Sequence, residues 1–253
     1  MIDIHAHILP AVDDGAKDDT ESQLMLQDAI CEGIHTIVAT PHYQPRFLNE
    51  KATILKKVEL LQQMAVQKQL DINILPGQEI RIYGQLLEDF EAGKLLSLAD
   101  SNYILIEFPF HDIPHYTERL FYDIGLQGLI PIIAHPERNT AFLKNPEKLY
   151  NLVTKGALAQ LTSSSIAGFF GKEVQKFSEQ LIEANLVHMV ASDAHNTTNR
   201  KFNLSEAYEQ IMKKYGASYV SYFEKNAHAV VADEPVICER PLLVEKRKFL
   251  GFF

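Results

Sequence analysis

Short apolar runs alternate along this chain with longer segments in which apolar residues recur at helical spacing. The short runs are rich in β-branched residues, which is typical of strands that are buried on both faces. The predicted strands lie at residues 2–8, 36–39, 72–75, 103–106, 129–134, 159–161 and 187–191. Helices are predicted at 20–33, 56–68, 85–91, 117–126, after Pro146 and at 173–185, the first from a capping-box pair, Thr20 and Gln23. This order predicts an α/β fold with a parallel sheet covered by helices.

Most of the polar residues that could carry chemistry stand at or just beyond the C-terminal ends of the predicted strands: His5, His7, His42, Glu79, Glu107, His135, Asp193 and His195. A barrel brings all of its strand ends into one ring, whereas an open doubly wound sheet, which also fits the alternation, concentrates its site at a switch point. We therefore predict a distorted (β/α)7 TIM-like barrel. One domain is expected at residues 1–238, followed by a basic and aromatic tail at 239–253.

The first fifteen residues contain the densest group of candidate metal ligands. Asp3, His5 and His7 alternate with apolar residues, so a strand would place all three on one face. The Cα atoms of the two histidines would be about 7 Å apart, close enough to bind one cation. A solvated edge strand has the same alternation, but the turn that follows, with Asp13, Asp14 and Gly15, favours a metal site.

Composition narrows the class of protein. The net charge of -9, from 24 Lys and Arg against 33 Asp and Glu, argues against broad binding to nucleic acid. No apolar run reaches the roughly 20 residues of a membrane helix, so stable membrane insertion is not expected. No basic and apolar leader precedes the first strand, and the two cysteines, Cys31 and Cys238, suggest no disulfide framework. We predict a cytoplasmic protein.

Imidazole and carboxylate ligands together suit Mn, Fe or Zn, and the candidates outnumber what one ion needs. Two or three ions are therefore indicated, with a carboxylate such as Glu79 bridging a pair. Such ions can hold a hydroxide and neutralise phosphoryl oxygens, which predicts hydrolysis of a phosphate ester. Arg138 and Arg200 follow two of the strand ends and could bind phosphate oxygens, unless they are solvated loop residues.

Seven ordered motifs extend this pattern over the whole chain: His5-x-His7, Asp13-Asp14-Gly15, Thr40-Pro41-His42, Gly77-Gln78-Glu79-Ile80, Ile106-Glu107-Phe108, His135-Pro136-Glu137-Arg138 and Ser192-Asp193-Ala194-His195. In these motifs the chain resembles the polymerase and histidinol phosphatase (PHP) superfamily. It resembles more closely the manganese-dependent tyrosine-protein phosphatases of Gram-positive bacteria that act with capsule and exopolysaccharide tyrosine kinases.

The resemblance implies a cluster of three metal ions, with Mn expected and Fe or Zn possible. The implied ligand sets are His5, His7, Glu79 and Asp193 for one ion, Glu79, Glu107 and His135 for a second, and Asp14, His42 and His195 for a third. Much of the superfamily has histidine where this chain has Glu107. The resemblance also implies that Arg138 and Arg200 occupy the positions that in the family bind substrate phosphate. The implied reaction is attack by a metal-bridging hydroxide on the phosphotyrosine of protein substrates, among them a cognate bacterial tyrosine kinase.

Three other functions fit parts of the pattern. A small-molecule phosphoesterase such as a histidinol phosphatase is the nearest, and an amidohydrolase-type enzyme opens with the same His-x-His but often uses a modified lysine that is not found at these strand ends. A metal-stabilised barrel that only binds phosphorylated partners is the third. A cysteine-based tyrosine phosphatase does not fit, because Ile37 and Val244 stand where its Cys-x5-Arg loop requires arginine.

Several residues near the motifs receive secondary interpretations. Asp3 and Asp13 are expected to orient ligand imidazoles from behind. His111 and His115 either line the substrate entrance or lie in a solvated loop, and the loop is favoured. The remaining histidines, His35, His188 and His228, are expected at surface or satisfied core positions. The tail from Arg240 to Phe253 is read as a flexible end with some packing, or else as a docking segment for a kinase or membrane surface.

Overall fold

Strands and helices alternate along residues 1–244, the part of the chain that this computed structural model describes. The strands are β1 (Ile2–Ala6), β2 (Thr36–Ala39), β3 (His42–Gln44), β4 (Phe47–Leu48), β5 (Asn73–Pro76), β6 (Glu79–Arg81), β7 (Tyr103–Glu107), β8 (Ile130–Ala134), β9 (Leu158–Thr162) and β10 (Met189–Ala191). The helices are α1 (Asp19–Cys31), α2 (Lys51–Gln67), α3 (Leu86–Glu91), α4 (Thr117–Leu126), α5 (Thr140–Lys144), α6 (Pro146–Thr154), α7 (Ser163–Ile166), α8 (Lys172–Glu183), α9 (Leu204–Tyr215) and α10 (Ala217–Val231).

The strands form two sheets that are almost entirely parallel. One has the order β1-β2-β5, and the other has the order β10-β9-β8-β7-β6-β3-β4. Only the β3–β4 hairpin pairs antiparallel among these strands. The predicted α/β class, with a parallel sheet and helices, is therefore confirmed.

Two stretches of chain run from one sheet into the other. One stretch contains β2 and β3, and the other contains β5 and β6. Thr36 in β2 pairs with Asn73 in β5, and His42 in β3 pairs with Glu79 in β6. The two pairs are separated by the same number of residues along the chain, so the two stretches keep one register. The break between β2 and β3 coincides with Pro41, which has no N–H to donate to a ladder. Each of these stretches is thus one strand interrupted in the middle, which is why the sequence predicts fewer strands than the structure contains.

The free side of β1 lies against the end of β10. Ala6 forms a parallel bridge with Ala194. The N–H of His7 donates to the carbonyl of Ala194, and the N–H of Asp193 donates to the carbonyl of His5, both at 2.8 Å. These bonds connect the first strand of the chain to the segment that follows the last one.

A buried carboxylate reinforces that connection. Asp3 Oδ1 accepts the N–H of Ser192 at 3.0 Å, and Asp3 Oδ2 accepts its hydroxyl at 2.5 Å. Burial raises the pKa of Asp3 to about 6, although the hydrogen bonds from Ser192 oppose this shift. The side chain therefore acts as a clamp between β1 and the end of β10.

Both faces of the strands are covered by apolar residues. In β7, Ile104 and Ile106 belong to the larger core, which packs against the surrounding helices. Leu105 belongs instead to a second buried cluster with Ile4, Ile132 and other strand residues, to which α10 contributes Ala227 and Val230. The continuous apolar runs in the sequence follow from this burial on two sides.

The starts of two helices differ from those predicted from the sequence. The N-cap of α1 is Asp18, whose carboxylate accepts the N–H of Glu21 at 2.9 Å, so the capping box predicted from Thr20 and Gln23 is wrong. Helix α2 begins at Lys51 rather than at residue 56. The sequence reading did not place α9 and α10, and α10 packs against β1 and β10.

The first residues of the predicted tail lie along the end of α8. Asn185 Nδ2 donates to the carbonyl of Arg240 at 3.0 Å, and the N–H of Leu242 donates to the carbonyl of Ala184 at 2.8 Å. The rest of the predicted tail, residues 245–253, lies outside the described residues, so its role stays a prediction. None of the helices within residues 1–244 combines the length and apolar character needed to cross a bilayer.

Gly15 is the one position in the turn after β1 where a side chain has no room. A Cβ there would lie 2.2 Å from the carbonyl oxygen of His7 and 2.5 Å from its Cβ. We expect Gly15→Ala to lower the free energy of unfolding by about 2 kcal/mol, because the backbone of His7 must move. Urea unfolding measures the change, with Gly84→Ala as a control, since nothing lies within 4 Å of a Cβ at Gly84. Equal stability of the two variants would contradict the expectation.

Candidate metal centre

The nine predicted ligands converge at the C-terminal ends of the strands. The donor atoms of eight of them form three overlapping groups, and within each group the atoms lie within 4.8 Å of one another. The groups are His5, His7, Glu79 and Asp193; His7, Asp14, His42 and His195; and His42, Glu79 and Glu107. His135 joins the cluster through Glu79, because His135 Nε2 lies 2.8 Å from Glu79 Oε1.

The first group has the spacing of a single ion's coordination shell. The Nε2 atoms of His5 and His7 lie 3.3 Å apart, and each lies 3.3–3.4 Å from Glu79 Oε2 and 3.4 Å from Asp193 Oδ1. Ligand atoms at about 2.1 Å from a tetrahedral ion are about 3.4 Å from one another. These four side chains are buried, so their donor atoms can be held in this arrangement.

Hydrogen bonds behind the two histidines fix which ring nitrogen faces the centre. His5 Nδ1 lies 2.8 Å from Gln160 Oε1, and His7 Nδ1 lies 2.8 Å from Asp13 Oδ2. Both partners are acceptors, so each Nδ1 carries the proton and each Nε2 presents its lone pair. The expected role of Asp13 is confirmed. The same expectation for Asp3 is wrong, because its carboxylate is engaged with backbone N–H groups and a serine hydroxyl.

The second group lies nearer the solvent. Asp14 Oδ1 is 3.3 Å from His42 Nε2 and 3.5 Å from His195 Nε2. His195 Nδ1 lies 2.8 Å from the backbone carbonyl of Asp193, which again leaves Nε2 available. The rings of His7 and His195 are in contact, tilted by 33° with centroids 3.8 Å apart, and this places His7 between the first and second groups.

The third group differs from the predicted ligand set by one histidine. His42 Nδ1 lies 2.9 Å from Glu79 Oε2 and 4.0 Å from Glu107 Oε2. The prediction from the sequence grouped His135, not His42, with these two glutamates. The reason is geometric, because β3 and β6 are neighbours and His42 is paired with Glu79 in register. Arg81 Nε lies 3.0 Å from Glu107 Oε2.

The electrostatics of the cluster favour a cation. Burial alone would raise the pKa of Glu79, but the neighbouring His5 and His42 hold it well below its usual range. Burial and the charge of Glu79 raise the pKa of Glu107 to about 7. Glu79 Oε2, Glu107 Oε2 and His195 Nε2 are buried without a well-directed hydrogen bond among the described residues. Buried lone pairs of this kind are costly unless something binds them, and a cation fits.

Both predicted arginines reach into the cluster. Arg138 Nη1 donates to Asp193 Oδ2, and Arg200 Nη2 donates to the same oxygen at 3.0 Å. Arg200 Nη1 also lies 3.7 Å from Asp14 Oδ2. The alternative of two solvated loop arginines is therefore wrong. Both groups stay partly exposed, with 21% and 28% of the side chain accessible, so an anion from solvent can reach them.

Two strand-end residues have left-handed backbone conformations. The φ angle is 35° at His135 and 53° at Asp193. Such conformations cost non-glycine residues on the order of 1 kcal/mol and persist where the surrounding structure holds them. Here they turn both side chains into the cluster immediately after β8 and β10.

Three residues around the cluster were not predicted from the sequence. Gln160 orients His5, Arg81 faces Glu107, and the Phe170 ring lies under the Arg138 guanidinium at 5.1 Å from its centroid. Two of them had a signal in the sequence: Gln160 interrupts an apolar run, and Arg81 shares a strand face with Glu79. Phe170 had none, because it follows a different strand from Arg138.

The other histidines lie outside the cluster. His111 is in an exposed loop with Nδ1 2.9 Å from Thr140 Oγ1, and His115 is also exposed. His35 and His228 are exposed, whereas His188 is buried with its Nδ1 accepting the N–H of Ala159 at 3.1 Å. These positions agree with the interpretations made from the sequence.

Comparison with known proteins places this architecture in a family. Residues 1–232 match the family described as capsular polysaccharide synthesis, CpsB/CapC. The chain is 47% identical, over the full length of both proteins, to the tyrosine-protein phosphatase YwqE of Bacillus subtilis (strain 168). It is 34% identical to the tyrosine-protein phosphatase CpsB of Streptococcus pneumoniae, with 92% of this chain and 99% of the relative covered.

A solved structure agrees with these relatives. It comes from crystal structures of YwqE from B. subtilis and CpsB from S. pneumoniae, described as unique metal-dependent tyrosine phosphatases. The TM-score is 0.96 at 46% identity, with 97% of this chain and 100% of the other covered. The protein belongs to the CpsB/CapC family, so the resemblance found in the sequence motifs is confirmed.

His188 provides a pH-dependent contribution to stability that is separate from the cluster. Burial lowers its pKa to about 4 from its ordinary value of about 6.5. The unfolded chain therefore binds the extra proton first, and stability falls as the pH falls from about 6.5 to about 4, by about 2 to 3 kcal/mol. We expect His188→Asn, whose Oδ1 can still accept from Ala159, to remove this part of the pH dependence in urea unfolding. An unchanged profile would contradict the expectation, and exposed His35→Asn is the matched control.

Proposed function

We propose that this protein removes phosphate from tyrosine side chains of other proteins, with metal ions held by its strand-end cluster. It is a tyrosine-protein phosphatase of the CpsB/CapC family, similar over its length to proteins of that name. The observation that carries the proposal is the meeting of two arginines with a buried cluster of histidines and carboxylates at Asp193.

The proposed metal is manganese in a cluster of three ions, with iron or zinc as alternatives. His5, His7, Glu79 and Asp193 would hold one ion, Glu79, Glu107 and His135 a second, and Asp14, His42 and His195 a third. The donor spacing supports the first and third sets. For the second set the support is the 2.8 Å distance between His135 Nε2 and Glu79 Oε1, although the grouped donor atoms place His42 beside Glu79 and Glu107. The buried His195 Nε2, which has no directed hydrogen bond among the described residues, also supports a bound cation. When bound, the ions would supply a water-derived nucleophile near neutral pH and neutralise the phosphate oxygens.

The protein's own contribution is to bind and orient. Arg138 and Arg200 present planar guanidinium groups that can hold phosphate oxygens in a bidentate manner. Gln160 and Asp13 keep the proton on Nδ1 of His5 and His7, so that Nε2 faces the centre. The reaction needs no cysteine, and the two cysteines are exposed and free.

The cluster is best explained by a distorted (β/α)7 TIM-like barrel, which is part of the proposal. Three observations support a closed ring of seven strands: the shared register through β2–β3 and β5–β6, the bridge from Ala6 to Ala194, and the apolar cluster between the strands. Closure brings the strand ends into one ring.

The proposed protein substrates include a cognate tyrosine kinase of capsule or exopolysaccharide synthesis, in the cytoplasm. The description of the family as capsular polysaccharide synthesis supports this assignment. A small-molecule phosphoesterase such as a histidinol phosphatase is the function that the following experiment separates from it.

The activity is tested on the manganese-loaded protein with a phosphotyrosyl peptide beside histidinol phosphate. We expect turnover of the peptide, loss on chelation and recovery with manganese. Arg138→Ala should lower kcat/KM for the peptide by about 100-fold, because it removes a charge-assisted contact to phosphate. Arg119→Ala, at an exposed position on α4, is the matched control. Preferential turnover of histidinol phosphate would support the other function.

Gln160 tests the metal centre by a readout other than activity. Gln160→Leu removes the acceptor that orients His5, so we expect manganese affinity to fall by about 10- to 100-fold. Titration calorimetry measures the affinity, and Gln127→Leu at an exposed position serves as control. An affinity within about twofold of the unmodified protein would argue against Gln160 as an orienting residue.

A further inference from the structure

Two phenylalanines at the mouth of the site are exposed to solvent. Among the phenylalanines in residues 1–244, only Phe110 and Phe169 are exposed, each by 55%. Phe110 lies in the loop after β7, and Phe169 lies in the loop that follows β9 and α7. A single exposed apolar residue is ordinary on a protein surface, so their significance depends on what lies between them.

Phe110 is fastened to the segment that carries Arg138. The N–H of Thr140 donates to the carbonyl of Phe110 at 3.1 Å. Asn139 Nδ2 donates to the carbonyls of Pro109 at 2.9 Å and Asp112 at 3.2 Å. Because Asn139 and Thr140 directly follow Arg138, these hydrogen bonds hold the backbone of Phe110 next to the segment that carries this arginine.

Phe169 lies in a second segment that contacts the same arginine. Its neighbour Phe170 packs under the Arg138 guanidinium, and the N–H of Phe169 donates to the carbonyl of Ser164 at 2.9 Å. The strands β7, β8 and β9 are neighbours in the sheet, so the three loops leave it within about 10 Å of one another. Two exposed aromatic residues, each with its backbone held by hydrogen bonds, therefore lie in loops that contact the Arg138 segment.

We propose that Phe110 and Phe169 form a phenylalanine rim that binds the polypeptide on either side of the phosphotyrosine. This inference rests on the proposed function and adds the residues that select a polypeptide. Arg138 complements the charge of the phosphate, while the rim offers apolar surface outside the charged cluster. A small phosphate ester bound at the cluster would leave both rings exposed, whereas a peptide continues past them. The occupant is thus an extended segment with apolar residues next to the phosphotyrosine, whose burial against the rings stabilises the complex.

The test compares a substrate that reaches the rim with one that does not. The manganese-loaded Phe110→Ala/Phe169→Ala double variant is assayed with a phosphotyrosyl peptide that has leucine or valine beside the phosphotyrosine, and with para-nitrophenyl phosphate. We expect kcat/KM for the peptide to fall by about tenfold or more, mainly through KM. The value for para-nitrophenyl phosphate should stay within about twofold, because that substrate lies inside the rim.

Two controls isolate the rim. Tyr122→Ala removes an aromatic side chain that is 62% exposed on α4, away from the strand ends, and should leave both substrates unaffected. A phosphotyrosyl peptide with glycine in place of the apolar residues should be a poorer substrate of the unmodified protein and lose little more in the double variant. Thermal unfolding checks that the variants are folded.

Several outcomes would overturn the inference. Equal losses on the peptide and on para-nitrophenyl phosphate would mean that the rings support the arginine instead of binding polypeptide. An unchanged kcat/KM for the peptide would mean that the rings do not contact it. Failure of the unmodified protein to hydrolyse any phosphotyrosyl peptide is a different result, because it would overturn the proposed function itself.

Discussion

The contact between the first strand and the end of the last one is the constraint on which the site depends. Two backbone hydrogen bonds and the Asp3–Ser192 clamp hold β1 beside the segment 192–195. The same few residues carry His5, His7 and Asp193, so the bonds that connect the ends of the fold also set the spacing of the candidate ligands. Fold stability and the geometry of the metal centre are therefore determined by one set of contacts.

Concentrating carboxylates in a buried site has an electrostatic cost, and the structure offsets only part of it. Arg138 and Arg200 both contact Asp193, and Arg81 lies against Glu107. Glu79 relies on histidines alone. Buried anions are tolerated when cations compensate them, so the cluster has the charge and the donor atoms of a site for metal ions. The arginines that compensate Asp193 are also partly exposed, so an anion from solvent can reach them.

The residues around the cluster form successive layers from the buried interior to the surface. Gln160 and Asp13 act from beneath by fixing the histidine tautomers. Arg138 acts at the mouth, where the ring of Phe170 lies under its guanidinium. Phe110 and Phe169 are exposed in loops beyond these layers. Under the proposed function, the order from buried to exposed follows the order from metal to phosphate to polypeptide.

The sequence by itself determined the α/β class, most of the strands and the identity of the polar residues at strand ends. It did so because burial on both faces demands continuous apolar runs, and because a ligand position tolerates few side-chain types. Tertiary structure alone decided which ligands share a group, as with His42 beside Glu79, and which neighbours orient them, as with Gln160 behind His5. These relations depend on strand register and on contacts between residues far apart in the chain, which no local pattern encodes.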